Sequence, residues 1–68
     1  MKKYYVVKLL KNGKLVDASY KDMYTQVELW EMFNTEEEAV AAYEAFHEKY
    51  YPYSYKEDIV ILLVYATL

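Results

Sequence analysis

His47 is the only imidazole in the sequence, and there is no Cys. An imidazole can act as a general base or a metal ligand. Either role needs company: a base needs a nucleophile within hydrogen-bond reach, and a metal needs further ligands at compatible spacing. Ser54 and Asp58 complete a nominal Ser-His-Asp set, but their spacing does not bring them together. His47 also lies at the flank of the helical stripe described below, where a boundary residue with a satisfied N–H is the simpler expectation. No catalytic residue and no metal ligand is therefore assigned. The chain is expected to be neither an enzyme nor the carrier of a cofactor.

Carboxylates are more plentiful. Glu36, Glu37 and Glu38 open a helix, where they complement the positive end of its dipole. Glu44 and Glu48 are spaced i, i+4 and repel each other by a few tenths of a kcal/mol. A solvated face accounts for them, and so does steering toward a basic partner. Gly13 is the only glycine, so no glycine-rich loop can cradle a phosphate. The chain has eight Lys, no Arg and a net charge of −3, which disfavours direct contact with nucleic acid. The charge is also divided. Residues 1–21 carry +5, including the cluster Lys8, Lys11 and Lys14, whereas residues 22–68 carry −8.

Tyr50-Tyr51-Pro52-Tyr53-Ser54-Tyr55 is the least ordinary segment. Core packing accounts for Tyr50 but not for three further Tyr around a Pro and a Ser. Tyr offers a large contact area at low rotamer cost and keeps a polar tip, which is why binding loops favour it beside Ser. Tyr51, Tyr53 and Tyr55, with Glu44, Glu48 and Glu37, are the candidate partner-binding residues. Glu44 and Glu48 are better placed than Glu37 to act with the loop, since Glu37 lies near the helix start.

These residues must be positioned by one small domain spanning 1–68. A chain of 68 residues buries only about 60% of its unfolded surface, so a partner or a second copy is expected to complete the core. Lys8 breaks the apolar stretch after Met1-Lys2-Lys3, leaving no signal-peptide core. The run Ile59 to Leu68 is about half the ~20 residues a spanning helix needs. A cytoplasmic protein without membrane contact is expected.

Asn12-Gly13 is a strong hairpin signal, because a type I′ turn needs φ > 0 at both central residues. It fixes the register: Leu10 opposes Leu15, Leu9 opposes Val16, and continuation pairs Lys8 with Asp17, Val7 with Ala18 and Tyr5 with Tyr20. Tyr5, Val7, Leu9, Val16, Ala18 and Tyr20 then share one apolar face. Lys21-Asp22-Met23 is a second turn. Tyr24 to Phe33 is a third strand with Val27 and Leu29 inward. Its alternation fails at Trp30-Glu31-Met32-Phe33, through a bulge or because Trp30 and Met32 face out.

Thr35 and Glu38 form a capping box, and Ala39, Tyr43, Phe46 and Tyr50 make one helical stripe. Pro52 ends the helix near Tyr50. Ile59 to Ala66 is apolar throughout and is expected as a strand buried on both faces. The fold class is α+β, ordered β-β-β-α-β, with one helix packed on one face of a mostly antiparallel four-stranded sheet. The last strand is placed beside the first and parallel to it. One helix can cover only one face, leaving either Ile59, Ile61, Leu63 and Tyr65 or Val60, Leu62, Val64 and Ala66 open, and a homodimer would cover them.

In character, the chain resembles the short acidic α/β proteins that phages make to block host enzymes, such as anti-CRISPR and other anti-defence proteins. The resemblance is one of size, acidic face and aromatic contact residues. It implies a small non-enzymatic protein that blocks a host protein's surface or nucleic-acid groove. The alternative is a small oligomer whose Tyr rings stack on a planar ligand such as a nucleotide.

Overall fold

A computed structural model describes residues 2–66. The strands are β1 (Lys2–Lys11), β2 (Lys14–Val16), β3 (Ala18–Lys21), β4 (Gln26–Leu29) and β5 (Ile59–Ala66), and α1 (Glu36–Tyr50) precedes β5. Asn12 at φ 52° and Gly13 at φ 76° make the I′ turn, and Leu10↔Leu15 and Leu9↔Val16 pair as the turn requires. A Cβ at Gly13 would meet nothing within 4 Å, so only its backbone conformation demands glycine. Gly13→Val is expected to cost about 1–3 kcal/mol, because a β-branched residue resists the left-handed region. Thermal melting measures this, and an unchanged midpoint would contradict the turn.

Beyond Val16 the ladder departs from the simple hairpin. Lys8 and Asp17 do meet, as an ion pair. There the strand breaks, and β3 pairs with β4 instead of continuing along β1. The expected single four-stranded sheet is therefore two sheets, β2-β1-β5 and β3-β4. Tyr20 lies opposite Val27 rather than Tyr5. Phe33 takes the place beside Tyr5, with both backbone bonds at 2.8 Å. Two-stranded ribbons twist strongly, and β3 turns toward the helix end, where the Tyr20 ring stacks on Tyr50 at 4.9 Å. Val27 and Leu29 face inward as expected, but the strand covers only Gln26–Leu29 of the expected Tyr24 to Phe33, leaving Trp30 and Met32 exposed.

Asp22 builds the β3–β4 turn. One carboxylate oxygen accepts the backbone N–H groups of Tyr24 and Thr25 at 2.8 and 2.7 Å, and the other accepts the Tyr20 hydroxyl at 2.8 Å. The Tyr20 hydroxyl bond, followed by the two backbone bonds, holds the Asp22 carboxyl below its ordinary range. A lowered folded value means that the carboxylate stabilises the fold above the unfolded value, and that this contribution disappears as pH falls through the folded value. Asp22→Ala is expected to lower the melting temperature at neutral pH and to have a smaller effect in strong acid. A difference that persists undiminished in acid would assign the effect to something other than the charge.

Thr35 caps α1. Its hydroxyl accepts the Glu38 N–H at 3.1 Å, and the Glu38 carboxylate accepts the Asn34 N–H at 3.3 Å, one residue earlier than in the standard box. Ala39, Tyr43 and Phe46 are buried and Tyr50 is half-buried, while Glu37, Ala41, Glu44 and Glu48 face water. The buried side packs on Val7, Leu9, Ala18 and Leu29, with Tyr5, Ile59 and Ile61 at the margin of the core. Val16 stays 37% exposed, so the expected apolar face ends one residue short.

β5 lies beside β1 as expected but runs antiparallel to it, from Leu9↔Ile59 to Lys2↔Ala66. The direction follows from where α1 ends. Tyr51 meets Ser19 and Glu57 meets Lys11, so the loop after the helix delivers the chain to the hairpin end of β1. From there β5 can only run back. β5 is not buried on both faces: every residue in it is half-buried or exposed, with Leu63 at 43% and Tyr65 at 55%. Ile59 and Ile61 pack on the helix side, so by strand alternation Val60, Leu62, Val64 and Ala66 form the open face.

Candidate functional site

The Tyr-rich loop is built at the helix C-terminus. The Tyr51 N–H donates to the His47 carbonyl at 2.7 Å, the last helical bond before Pro52. The Ser54 N–H then donates to the Tyr51 carbonyl at 3.1 Å, closing a turn with Pro52 at its second position. The Tyr51 hydroxyl donates to the Ser19 carbonyl at 2.6 Å, and its ring packs edge-on against Tyr20 at 5.6 Å. At the other end, the Glu57 N–H donates to the Tyr43 hydroxyl at 3.3 Å, and the Glu57 carboxylate pairs with Lys11 at 3.4 Å. The loop is thus fixed at residues 51 and 57. Between these points Tyr53 is 100% and Tyr55 98% exposed.

Glu44, Glu48 and Tyr55 line one shallow groove, together with His47, Pro52 and Lys56. Tyr53 stands fully exposed in the same loop. Tyr51 is 37% exposed and its hydroxyl is engaged, so it holds the loop in place. Glu37 is exposed on the same helix face, seven residues or about 10 Å along the axis from Glu44. It lies outside the groove.

A deeper cavity of about 220 Å³ opens between the helix and the strands. Tyr43, His47, Tyr51, Ser54, Tyr55 and Glu57 contribute to its wall. His47 is buried, and its Nε2 has no hydrogen-bond partner among the described residues. The expectation of a boundary imidazole is therefore corrected: the ring is buried. Stripe spacing places His47 at the flank, but the Tyr43 and Tyr51 rings pack on either side of it, with centroids 6.1 and 6.4 Å away. His47 and Ser54 share the cavity without a hydrogen bond between them. Asp58 lies outside it, its carbonyl accepting the Leu10 N–H at 3.1 Å.

No protein-family model, no curated protein and no solved structure matches the chain. Among the described residues, no helix is long and apolar enough to cross a membrane.

Sequence reasoning missed the role of Ser19 and Tyr20, which anchor the loop from more than thirty positions away in the chain. It also left Trp30 out of the candidate set, although that ring is 71% exposed. The failed alternation at residues 30–33 was its signal.

Proposed function

We propose that the chain is a small non-enzymatic protein-binding protein that docks on a basic surface of its partner. Tyr53 and Tyr55 supply the aromatic anchors, Glu44 and Glu48 the charge, Tyr51 the loop's support, and Glu37 extends the acidic face. One observation carries this proposal: two almost fully exposed Tyr sit in a loop fixed at both ends, beside two exposed carboxylates. A loop already held in place loses little entropy on binding, and aromatic anchors are where binding energy concentrates. In its most specific form the protein is an inhibitor of the phage anti-defence kind, anti-CRISPR proteins among them. Its acidic face then competes with nucleic-acid phosphates for a host groove.

The test begins with capture of the partner from a host lysate and continues with surface kinetics. Tyr53→Ala is expected to speed dissociation, weakening binding about 30-fold if the ring is worth the ~2 kcal/mol of a hot spot. Glu44→Lys with Glu48→Lys is expected to slow association and reduce its salt dependence. If these variants bind normally while Lys8, Lys11 and Lys14 prove essential, the binding surface lies on the basic half instead.

The cavity beside Tyr55 favours a second reading, in which the site takes a planar ligand such as a nucleotide base that meets the open Nε2 of His47. A thermal-shift screen with nucleosides and nucleotides separates the two. A saturable rise in melting temperature that His47→Leu abolishes supports the ligand, and no rise leaves the protein-binding reading.

A further inference from the structure

Among the described residues β5 is a free edge, and the ladder fixes which of its groups are free. In an antiparallel ladder, alternate residues exchange backbone bonds with the neighbouring strand. The Leu10 N–H bonds the Asp58 carbonyl, which assigns the even-numbered residues of β5 to β1. Tyr5, an odd-numbered residue of β1, bonds Phe33 on the opposite side, as the same alternation demands. The N–H and C=O groups of Ile59, Ile61, Leu63 and Tyr65 therefore point to the open edge.

Natural sheet edges are shortened, charged, bent or interrupted by Pro. β2 is three residues long and carries Lys14, and β3 and β4 are each four residues long and carry Lys21 and Glu28. β5 is eight residues long, with no charge and no Pro. Among the described strands it is the one edge left without such a device.

We infer that β5 pairs with β5 of a second copy, antiparallel about a two-fold axis at Leu62. In that register Ile59 opposes Tyr65 of the partner subunit, and Ile61 opposes Leu63 of the partner subunit. All four residues with free backbone groups become bonded pairs. The exposed Leu63 and Tyr65 gain aliphatic neighbours on the helix side. On the open face, Leu62 meets Leu62 of the partner subunit, and Val60 meets Val64 of the partner subunit. A continuous six-stranded sheet results.

Charge selects this register. Asp58 falls opposite Ala66 of the partner subunit, and Ala66 is itself paired with Lys2 in β1. Asp58, the partner's Ala66 and the partner's Lys2 then form a row across three strands on one face, and the long Lys side chain reaches over the Ala toward the carboxylate. Symmetry makes the row twice. Asp58 has no ion-pair partner within 4 Å among the described residues of its own chain. Two-fold pairing also uses up both unprotected edges, so association closes at the dimer instead of extending into a fibre.

Sedimentation velocity on the full chain is expected to show a dimer at micromolar concentration. Leu63→Lys is expected to give a monomer with an unchanged far-UV circular dichroism spectrum, since Leu63 is already 43% exposed. Lys2→Glu and Asp58→Lys are each expected to weaken the dimer several-fold at low salt, and the two together to restore it. Both side chains are exposed, so these variants keep the test open even if Leu63→Lys fails to fold. A wild-type monomer at high micromolar concentration overturns the inference. So does a larger assembly, a dimer indifferent to Leu63→Lys, or charge variants without mutual rescue.

Discussion

Phe46→Ala is expected to leave much of the chain unfolded at room temperature. Phe46 is 8% exposed and sits where the helix, β3 and the Tyr-rich loop converge. Its ring lies 4.9 Å from Tyr50 and 6.4 Å from Tyr51. Truncating a buried Phe costs about 3–5 kcal/mol, because both transfer energy and packing are lost. A domain of this length holds roughly 3–10 kcal/mol in total, at ~0.05–0.15 kcal/mol per residue. Little surrounding mass is available to collapse into the space. Urea unfolding followed by circular dichroism measures the loss. Tyr53→Ala, at a fully exposed ring, is the control and is expected to change stability by less than about 0.5 kcal/mol. A small effect at Phe46 would show that α1 does not dock on the sheet as described.

His47→Leu is expected to act in the opposite direction and stabilise the protein. A buried polar atom without a partner costs about 1–3 kcal/mol, and an aliphatic residue of similar size carries no such cost. For a domain of this length, each kcal/mol moves the melting temperature by about 4–8 °C. The expected rise is therefore readily measured by scanning calorimetry on the unliganded protein. A fall in melting temperature would mean that Nε2 is satisfied in solution by a water or a bound molecule in the adjoining cavity. The same variant thus reports on the cavity as well as on the core.

Local chemistry made much of the fold legible. The I′ turn follows from Asn12-Gly13, the helix start from Thr35 and Glu38, and its end from Pro52, each within a few residues of the structure it sets. The core side of the helix follows from the spacing of Ala39, Tyr43 and Phe46. The exposure of Glu44, Glu48, Tyr53 and Tyr55 was legible in the same way, because position on a stripe and neighbourhood of a Pro are local properties. The burial of His47 was not, since it depends on how neighbouring rings, Tyr43 and Tyr51 among them, pack around the imidazole.

Three features belong to the tertiary structure alone. The sheet divides at Asp17, beyond which β3 pairs with β4 and stacks Tyr20 on Tyr50 at the helix end. Phe33 can take the vacated position beside Tyr5 because backbone hydrogen bonding does not distinguish side chains. β5 runs antiparallel because the Tyr51–Ser19 and Glu57–Lys11 contacts bring the helix exit to the hairpin end of β1. By itself the sequence determined the class α+β, the turn, the capped helix and the apolar last strand, since each is encoded by residues within one turn or one strand of each other. Where the sheet divides, and in which direction β5 runs beside β1, was decided by contacts between residues far apart in the chain, whose competing pairings differ too little in local preference to be read before the chain has closed on itself.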